Sequence, residues 1–258
     1  MNCGKPNATP LSLSMGEPLA IIYRDQYLVA INKPSGLLVH RSMIDRHETR
    51  FALQLLRDQL GQHVYPIHRL DKPTSGVLIF ALSADIARQL SRYFHDKVVS
   101  KTYWAVVRGY TPEAGTIDHP LKEKLDKISD KKSRLDKPAQ EAVSHYQRLA
   151  TIELPYCVDR YPQSRYSLVQ VQPETGRKHQ IRRHLKHLGH PIIGDAKHGK
   201  GIHNRFFQQQ FNCHRLLLAC TEMCLPHPVS QQPLRLQAGL DASMTSLLQR
   251  FNWPQPAQ

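Results

Sequence analysis

The nonapeptide His68-Arg69-Leu70-Asp71-Lys72-Pro73-Thr74-Ser75-Gly76 sets one carboxylate among cationic side chains, just ahead of a Pro-Thr-Ser-Gly turn. The run Val77-Leu78-Ile79-Phe80-Ala81-Leu82 follows at once and is too apolar for an exposed strand. A loop tied to a buried strand holds its acid in place, and neighbouring cations favour a charged carboxylate. Those are the requirements for a carboxylate nucleophile. On spacing alone, a solvated Asp in a turn meets the same description.

A second concentration of chemistry lies further along. The segment from Arg177 to Arg205 holds eight Lys/Arg against the single acid Asp195, a net +7 before any histidine charge. A solvated helix face mixes signs, so this segment reads as the main phosphate-binding surface. Two patterns inside it invite other readings. Gly194-Asp195-Ala196-Lys197-His198-Gly199-Lys200-Gly201 nearly matches a P-loop, but Gly201 stands where a metal-binding Ser or Thr hydroxyl is needed. His179, His184, His187 and His190 suggest a metal cluster, yet interleaved Arg and Lys oppose a divalent ion and no Cys or nearby acid completes the set. No metal is expected.

The loop around Asp71 resembles the catalytic loop of the RluA-type pseudouridine synthases, whose Arg-Leu-Asp tripeptide carries the family's one essential acid. Lys33-Pro34-Ser35-Gly36 resembles that family's first motif. Lys101-Thr102-Tyr103-Trp104-Ala105-Val106-Val107-Arg108-Gly109 resembles the strand bearing its active-site tyrosine. Gly176-Arg177-Lys178-His179-Gln180-Ile181-Arg182-Arg183-His184, continued by Gly189-His190-Pro191-Ile192-Ile193-Gly194-Asp195, resembles its third motif. Four motifs in the family's order are far more specific than any one of them. Val39–Ser42, Glu123–Ile128 and Asp195–Gly199 further resemble the branch that modifies uridine 65 in the T-stem of tRNA.

The resemblance implies a cofactor-free isomerisation, in which the N1–C1′ bond of a uridine breaks and the detached uracil rejoins through C5. It implies that Asp71 starts the reaction at the ribose and that Arg182 is its buried counter-ion. It implies that Tyr103 stacks on the uracil and takes part in proton removal, with Ile181 as an apolar wall on the other side of the base. Arg69 would fill the space left by an extruded nucleotide, where a planar guanidinium can stack and hydrogen-bond. Arg177, His179 and Gln180 are assigned to substrate binding. From spacing alone, Arg182 reads equally as a surface cation and Tyr103 as a core aromatic. One departure stands out: Arg215-Leu216-Leu217-Leu218-Ala219-Cys220 has Ala219 where the family commonly has His, which predicts a local change of packing or RNA contact.

The elements that must position these residues follow from periodicity. Leu19–Tyr23 and Tyr27–Ile31 read as strands around a turn, and Ala52–Leu60 as a helix with Thr49 as its cap. After the Val77–Leu82 strand, Ser83 caps a helix with Ile86, Leu90 and Phe94 on one face. Tyr103–Val107, Ala142–Ile152, Tyr166–Gln172 and Leu216–Leu218 read as strands. Helices are expected from Lys178 to Gly189 and from Met244 to Phe251. Lys122–Glu141, dense in charge, is either a solvated insertion or an RNA-contacting arm.

Such a mixture predicts an α+β fold with a mostly antiparallel sheet. The resemblance adds that the central sheet is bent and mixed, flanked by helices, with the active site in a central cleft. A flexible tail over residues 1–18 and one catalytic domain over residues 19–258, without an S4 domain, are expected. The chain has 258 residues, 40% of them hydrophobic, and carries a net charge of +14, which favours a polyanionic partner. Five cysteines without a CxxC pair suggest neither a disulfide framework nor a zinc ribbon, and Cys220 and Cys224 read as buried thiols. No transmembrane run or secretory signal is evident, so a cytoplasmic monomer acting on tRNA, with no membrane partner, is expected. The rivals are a relative acting on ribosomal RNA or another tRNA uridine, and a basic RNA-binding module without catalysis.

Overall fold

The computed structural model describes residues 18–41, 47–122 and 138–256. The N-terminal tail, the Glu123–Ile128 string, Ser42 and most of the charged 122–141 segment therefore lie outside the described residues.

Strands β1 (Ile21–Arg24) and β2 (Leu28–Lys33) form the expected hairpin, and β2 pairs antiparallel with β4 (Ser75–Ala81). A two-residue strand β3 (Tyr65–Pro66) lies against the end of β4. β5 (Ser100–Arg108), β6 (Ala114–Asp118), β7 (Val143–Leu154), β8 (Ser164–Pro173) and β9 (Leu218–Pro226) build the rest of the sheet, in the order β1-β2-β4-β9-β5-β8-β7-β6. β10 (Pro233–Gln237) pairs with β9. Among the described residues every pairing between these strands is antiparallel except β4 with β9, so the sheet is mixed and the α+β expectation holds.

That parallel pairing is short, Ser75 opposite Ala219 and Gly76 opposite Cys220, and it joins the two halves of the sheet. Gly76 has φ 111°, and a Cβ there would overlap the Cys220 carbonyl. Only glycine allows the backbones to approach so closely. The seam therefore depends on the residue that ends the Asp71 nonapeptide.

Helices α1 (Ala52–Leu60) and α2 (Ala84–His95) cover the first half. Ser83 accepts the amide of Ile86, as expected. Thr49 is not the cap of α1: Phe51 holds that place, and no side chain caps the helix. The other helices are α3 (Gln180–His187), α4 (Gly201–Phe211) and α5 (Ala242–Arg250). Alternation along β5 and β8 splits their side chains between two layers. Trp104, Val106 and Leu168 pack with Phe207 of α4 and Leu248 of α5, whereas Ala105, Val107 and Val169 pack with Ile181 and Leu185 of α3. Tyr103 touches both this second layer and the core of the first half.

Candidate active site

The Asp71 loop is clamped from below by the first motif. Lys33, completely buried, donates from Nζ to the carbonyls of Pro34 at 2.8 Å, Leu37 at 2.8 Å and Lys72 at 3.2 Å. Ser35 Oγ donates to the Pro73 carbonyl and the Gly36 amide to that of Lys72, each at 2.8 Å. Burial and the nearby Arg215 pull the Lys33 ammonium down to about 7, with Asp71 acting in the opposite sense. Loop and strand thus hold Asp71 at the start of the seam.

The counter-ion comes from α3. Arg182 Nη1 donates to Asp71 Oδ2 at 2.8 Å, while its Nε and Nη2 fork onto Asp195 Oδ2 and Oδ1, both at 2.8 Å. The Arg182 side chain is 6% exposed and that of Asp195 is 0% exposed. A bidentate fork fixes the guanidinium plane, so the remaining Nη1 meets Asp71 in one orientation. Asp195 also accepts the amides of Lys197 and His198, each at 2.9 Å. Burial pushes its carboxyl up, but these bonds and the Arg182 charge outweigh that and hold it below the ordinary value.

His179 completes the ring of contacts. Its backbone is left-handed (φ 56°), which starts α3 at Gln180, two residues after the expected Lys178. Its Nε2 lies 3.9 Å from Asp71 Oδ1, and its Nδ1 is 2.9 Å from His198 Nε2. Burial lowers both imidazoles, that of His198 to about 4.

Tyr103 pairs across the sheet with Cys220. Burial above all, then the Cys220 thiol hydrogen-bonded to the phenol and the Asp71 charge, push its hydroxyl well above the ordinary value. Cys220 itself is buried and pushed up to about 12, chiefly by loss of water. Cys224 is only half-buried, so one of the two expected buried thiols is not one. Ala219, the departure at that position, is buried and pairs across the sheet with Trp104.

Of the other expected site residues, Arg69 is exposed beside Asp71, and Ile181 is buried in the layer that Tyr103 touches. Arg177 is exposed and donates from Nε to the Glu141 carbonyl. Gln180 differs from its expected role. Its Oε1 accepts from Thr175 Oγ1 and the Arg177 amide, and its Nε2 donates to the Val143 carbonyl and Ser144 Oγ. That exhausts an amide side chain, so Gln180 braces the loop before α3 from inside the protein. Within the basic segment Arg177, Lys178, Lys186, Lys197, Lys200 and Arg205 are exposed, Arg183 is half-buried and Arg182 is buried.

The four histidines do not converge. His184 bonds Ser144 Oγ and the His119 carbonyl, His187 stacks on His119, and His190 bonds the Arg108 carbonyl. Among the described residues no group of three or more His, Cys, Asp or Glu could hold a metal, and no helix is long and apolar enough to cross a membrane. Two surface hollows, one along Glu113 and Gln147–Thr151 and one at Tyr23, Asp25 and His227, contain no residue of this site. Asp195, Lys33 and His198 were not among the expected site residues. Each stood in a matched string, Lys33 in the first motif and Asp195 and His198 in Asp195–Gly199, and Asp195 was also the single acid of a basic segment.

A model of the RNA pseudouridylate synthase family matches residues 27–187. The chain belongs to that family. It is therefore an isomerase that forms pseudouridine. A protein of Vibrio cholerae named tRNA pseudouridine synthase C is 54% identical over 91% of this chain and 96% of its own. One of Pasteurella multocida with the same name is 54% identical over 91% and 97%. Among solved structures, human RNA pseudouridylate synthase domain containing 4 is similar with a TM-score of 0.68 and 29% identity, covering 92% of this chain and 95% of that one. This pseudouridine synthase thus shares both sequence and sheet with its relatives.

Proposed function

We propose that this chain converts a uridine of tRNA to pseudouridine, that the target is uridine 65 in the T-stem, and that Asp71 is the nucleophile. The observation that carries the chemistry is the Asp71–Arg182 contact. Oδ2 is held by a guanidinium that is itself locked on Asp195, which leaves Oδ1 to meet the ribose. A carboxylate so placed can form and release a bond at an anomeric-type carbon.

A paired base must leave the helix before C1′ can be reached, at a cost on the order of a few kcal/mol. Arg69, exposed on the Asp71 loop, would occupy the vacated stack. Tyr103 and Ile181 would hold the free uracil between an aromatic and an apolar surface, with the Tyr103 hydroxyl serving the proton steps. The six exposed cations between Arg177 and Arg205 would bind phosphates of the duplex by shape and charge. No electrons are gained or lost overall, so the reaction needs no redox cofactor. A cytoplasmic monomer is part of the same proposal.

The choice of tRNA rests on the names of the close relatives, and the choice of uridine 65 on the three strings outside the catalytic motifs. Only Val39–Arg41 and Asp195–Gly199 of those strings fall among the described residues, and the second sits against Arg182. The test is tritium release from tRNA labelled at uridine C5, joined to carbodiimide mapping of RNA from a deletion strain. Loss of pseudouridine at position 65 with ribosomal sites intact is expected. A lost ribosomal site with intact tRNA would overturn the substrate.

A further inference from the structure

The seam beside Asp71 is held by little backbone. β4 and β9 pair over two positions only, Ser75 with Ala219 and Gly76 with Cys220. A parallel ladder is also slightly weaker per residue than an antiparallel one. Ser75 follows Asp71 by four residues, so whatever fixes Ser75 against β9 also fixes the carboxylate. A side chain that crosses the seam at this point therefore matters for the site.

Arg215 crosses it. Its Nη2 donates to Ser75 Oγ and to the Leu218 carbonyl, both at 2.9 Å, so one nitrogen grips the first residue of β4 and the first residue of β9. Nε donates to the Leu216 carbonyl at 2.8 Å, and Nη1 donates to Asp241 Oδ2. All three nitrogens of the planar guanidinium are thus engaged, which fixes its orientation, and the side chain is 10% exposed. Burial pulls Arg215 down to about 10, which leaves it charged at neutral pH. Asp241 is the cap of α5, where its other oxygen accepts the Met244 amide at 2.9 Å.

The main chain of the same residue meets the other anchor of Arg182. A Cβ on Gly194 would overlap the Arg215 carbonyl oxygen, and the Leu217 amide donates to the Ile193 carbonyl at 2.9 Å. Asp195, which receives the Arg182 fork, is the residue after Gly194. Arg215 therefore lies against both segments whose carboxylates share Arg182. Its guanidinium holds the Asp71 segment, and its carbonyl packs on the Asp195 segment.

Resting on the reading of Asp71 as the nucleophile, we propose that Arg215 is a positioning residue for the reaction and that Asp241 orients it. Arg182 joins the two carboxylates directly, whereas Arg215 fixes the main chain that carries them. Alignment of Asp71 with C1′ then depends on the start of α5, a helix in the layer opposite α3. A nucleophile displaced by about 1 Å can lose on the order of 100-fold in rate, and partial loosening loses less.

The experiment measures single-turnover rate, RNA affinity and melting temperature in three variants, with rates taken well below every melting point. Ser75→Ala removes the acceptor on β4. Asp241→Ser keeps a capping oxygen for α5 but removes the charge that orients the guanidinium. Leu248→Ala takes away core contacts of α5 and no bond of Arg215, and so serves as the control for stability alone. Ser75→Ala and Asp241→Ser should each be roughly 10-fold slower with RNA affinity unchanged. Combined, they should still be only about 10-fold slower, because both act through one guanidinium. Leu248→Ala should melt lower and react at the wild-type rate. Wild-type rates in both single variants, a double variant about 100-fold slower, or a Leu248→Ala as slow as the others would overturn the inference. Turnover by Asp71→Asn in the same assay would instead overturn the reading beneath it, because that reading alone requires the carboxylate.

Discussion

Arg182 Nη1 donates to Asp71 Oδ2 at 2.8 Å across 111 positions of sequence. The contact joins the loop that opens β4 to the first turn of α3, and so closes the two halves of the sheet over the seam at Gly76. Its partner Asp195 is wholly buried and depends on the same guanidinium.

Removing that guanidinium strands a buried carboxylate. Arg182→Met should lower unfolding free energy by about 3–5 kcal/mol and abolish turnover. Adding Asp195→Asn should restore part of the stability and none of the activity. Denaturant titration and a product assay on the single and double variants separate the two effects.

The same pair sets a pH signature. Asp195 is held below its ordinary value of 3.8, so its contribution to stability is present above that value and lost as pH falls through the lower folded one. In Arg182→Met, burial would dominate and raise the carboxyl instead. The stability gap between wild type and variant should therefore be widest near neutral pH and narrow in acid. Melting curves taken from pH 7 down to about pH 3 check this. A gap that widens in acid would contradict it.

Gly76→Ala should be among the most damaging single-methyl additions in the chain. Its left-handed backbone and the overlap with the Cys220 carbonyl predict a loss of about 3 kcal/mol or more. Thermal unfolding of this variant beside Gly61→Ala, where open space surrounds the added methyl, isolates the seam from simple backbone strain.

Much of this arrangement was legible because local signals agreed with the fold. Five of the six residues of the Val77–Leu82 run lie in β4, which starts two residues earlier at Ser75 and ends at Ala81, and Ser83 caps α2. The expected strand Leu216–Leu218 meets β9 only at Leu218; the rest of β9 is hidden because Thr221 and Glu222 end the apolar run Leu216–Cys220. α4 went unread because Gly201 opens it without a capping side chain, and the preceding loop mimics a phosphate-binding motif. Asp71, Tyr103, Arg182 and Ile181 came from motif resemblance, since no local pattern announces a contact over 111 positions. Lys33, which ties the first motif to Lys72, was visible only as a motif residue and not as a buried ammonium.

Arg69→Ala should hurt a paired target far more than an open one. If its guanidinium fills the stack left by the extruded base, the loss on a T-stem uridine should be on the order of 1–3 kcal/mol of transition-state stabilisation. An unpaired uridine in a loop should be converted at nearly the wild-type rate. Equal losses on both substrates would reassign Arg69 to phosphate contact.

Tyr103→Phe keeps the ring and removes the hydroxyl. Turnover should fall about 100-fold or more with RNA affinity retained, as read by single-turnover kinetics and filter binding. A near-normal rate would show that the hydroxyl has no part in the proton steps.

The central claim is that the Asp71 carboxylate starts the isomerisation. Asp71→Asn keeps size and polarity and removes only the charge, and phosphate contacts should leave RNA binding almost unchanged. Incubated in excess with C5-tritiated tRNA, this variant is predicted to bind the RNA, release no tritium and form no pseudouridine. Pseudouridine formed at a rate comparable to the wild type would show that Asp71 is not the nucleophile.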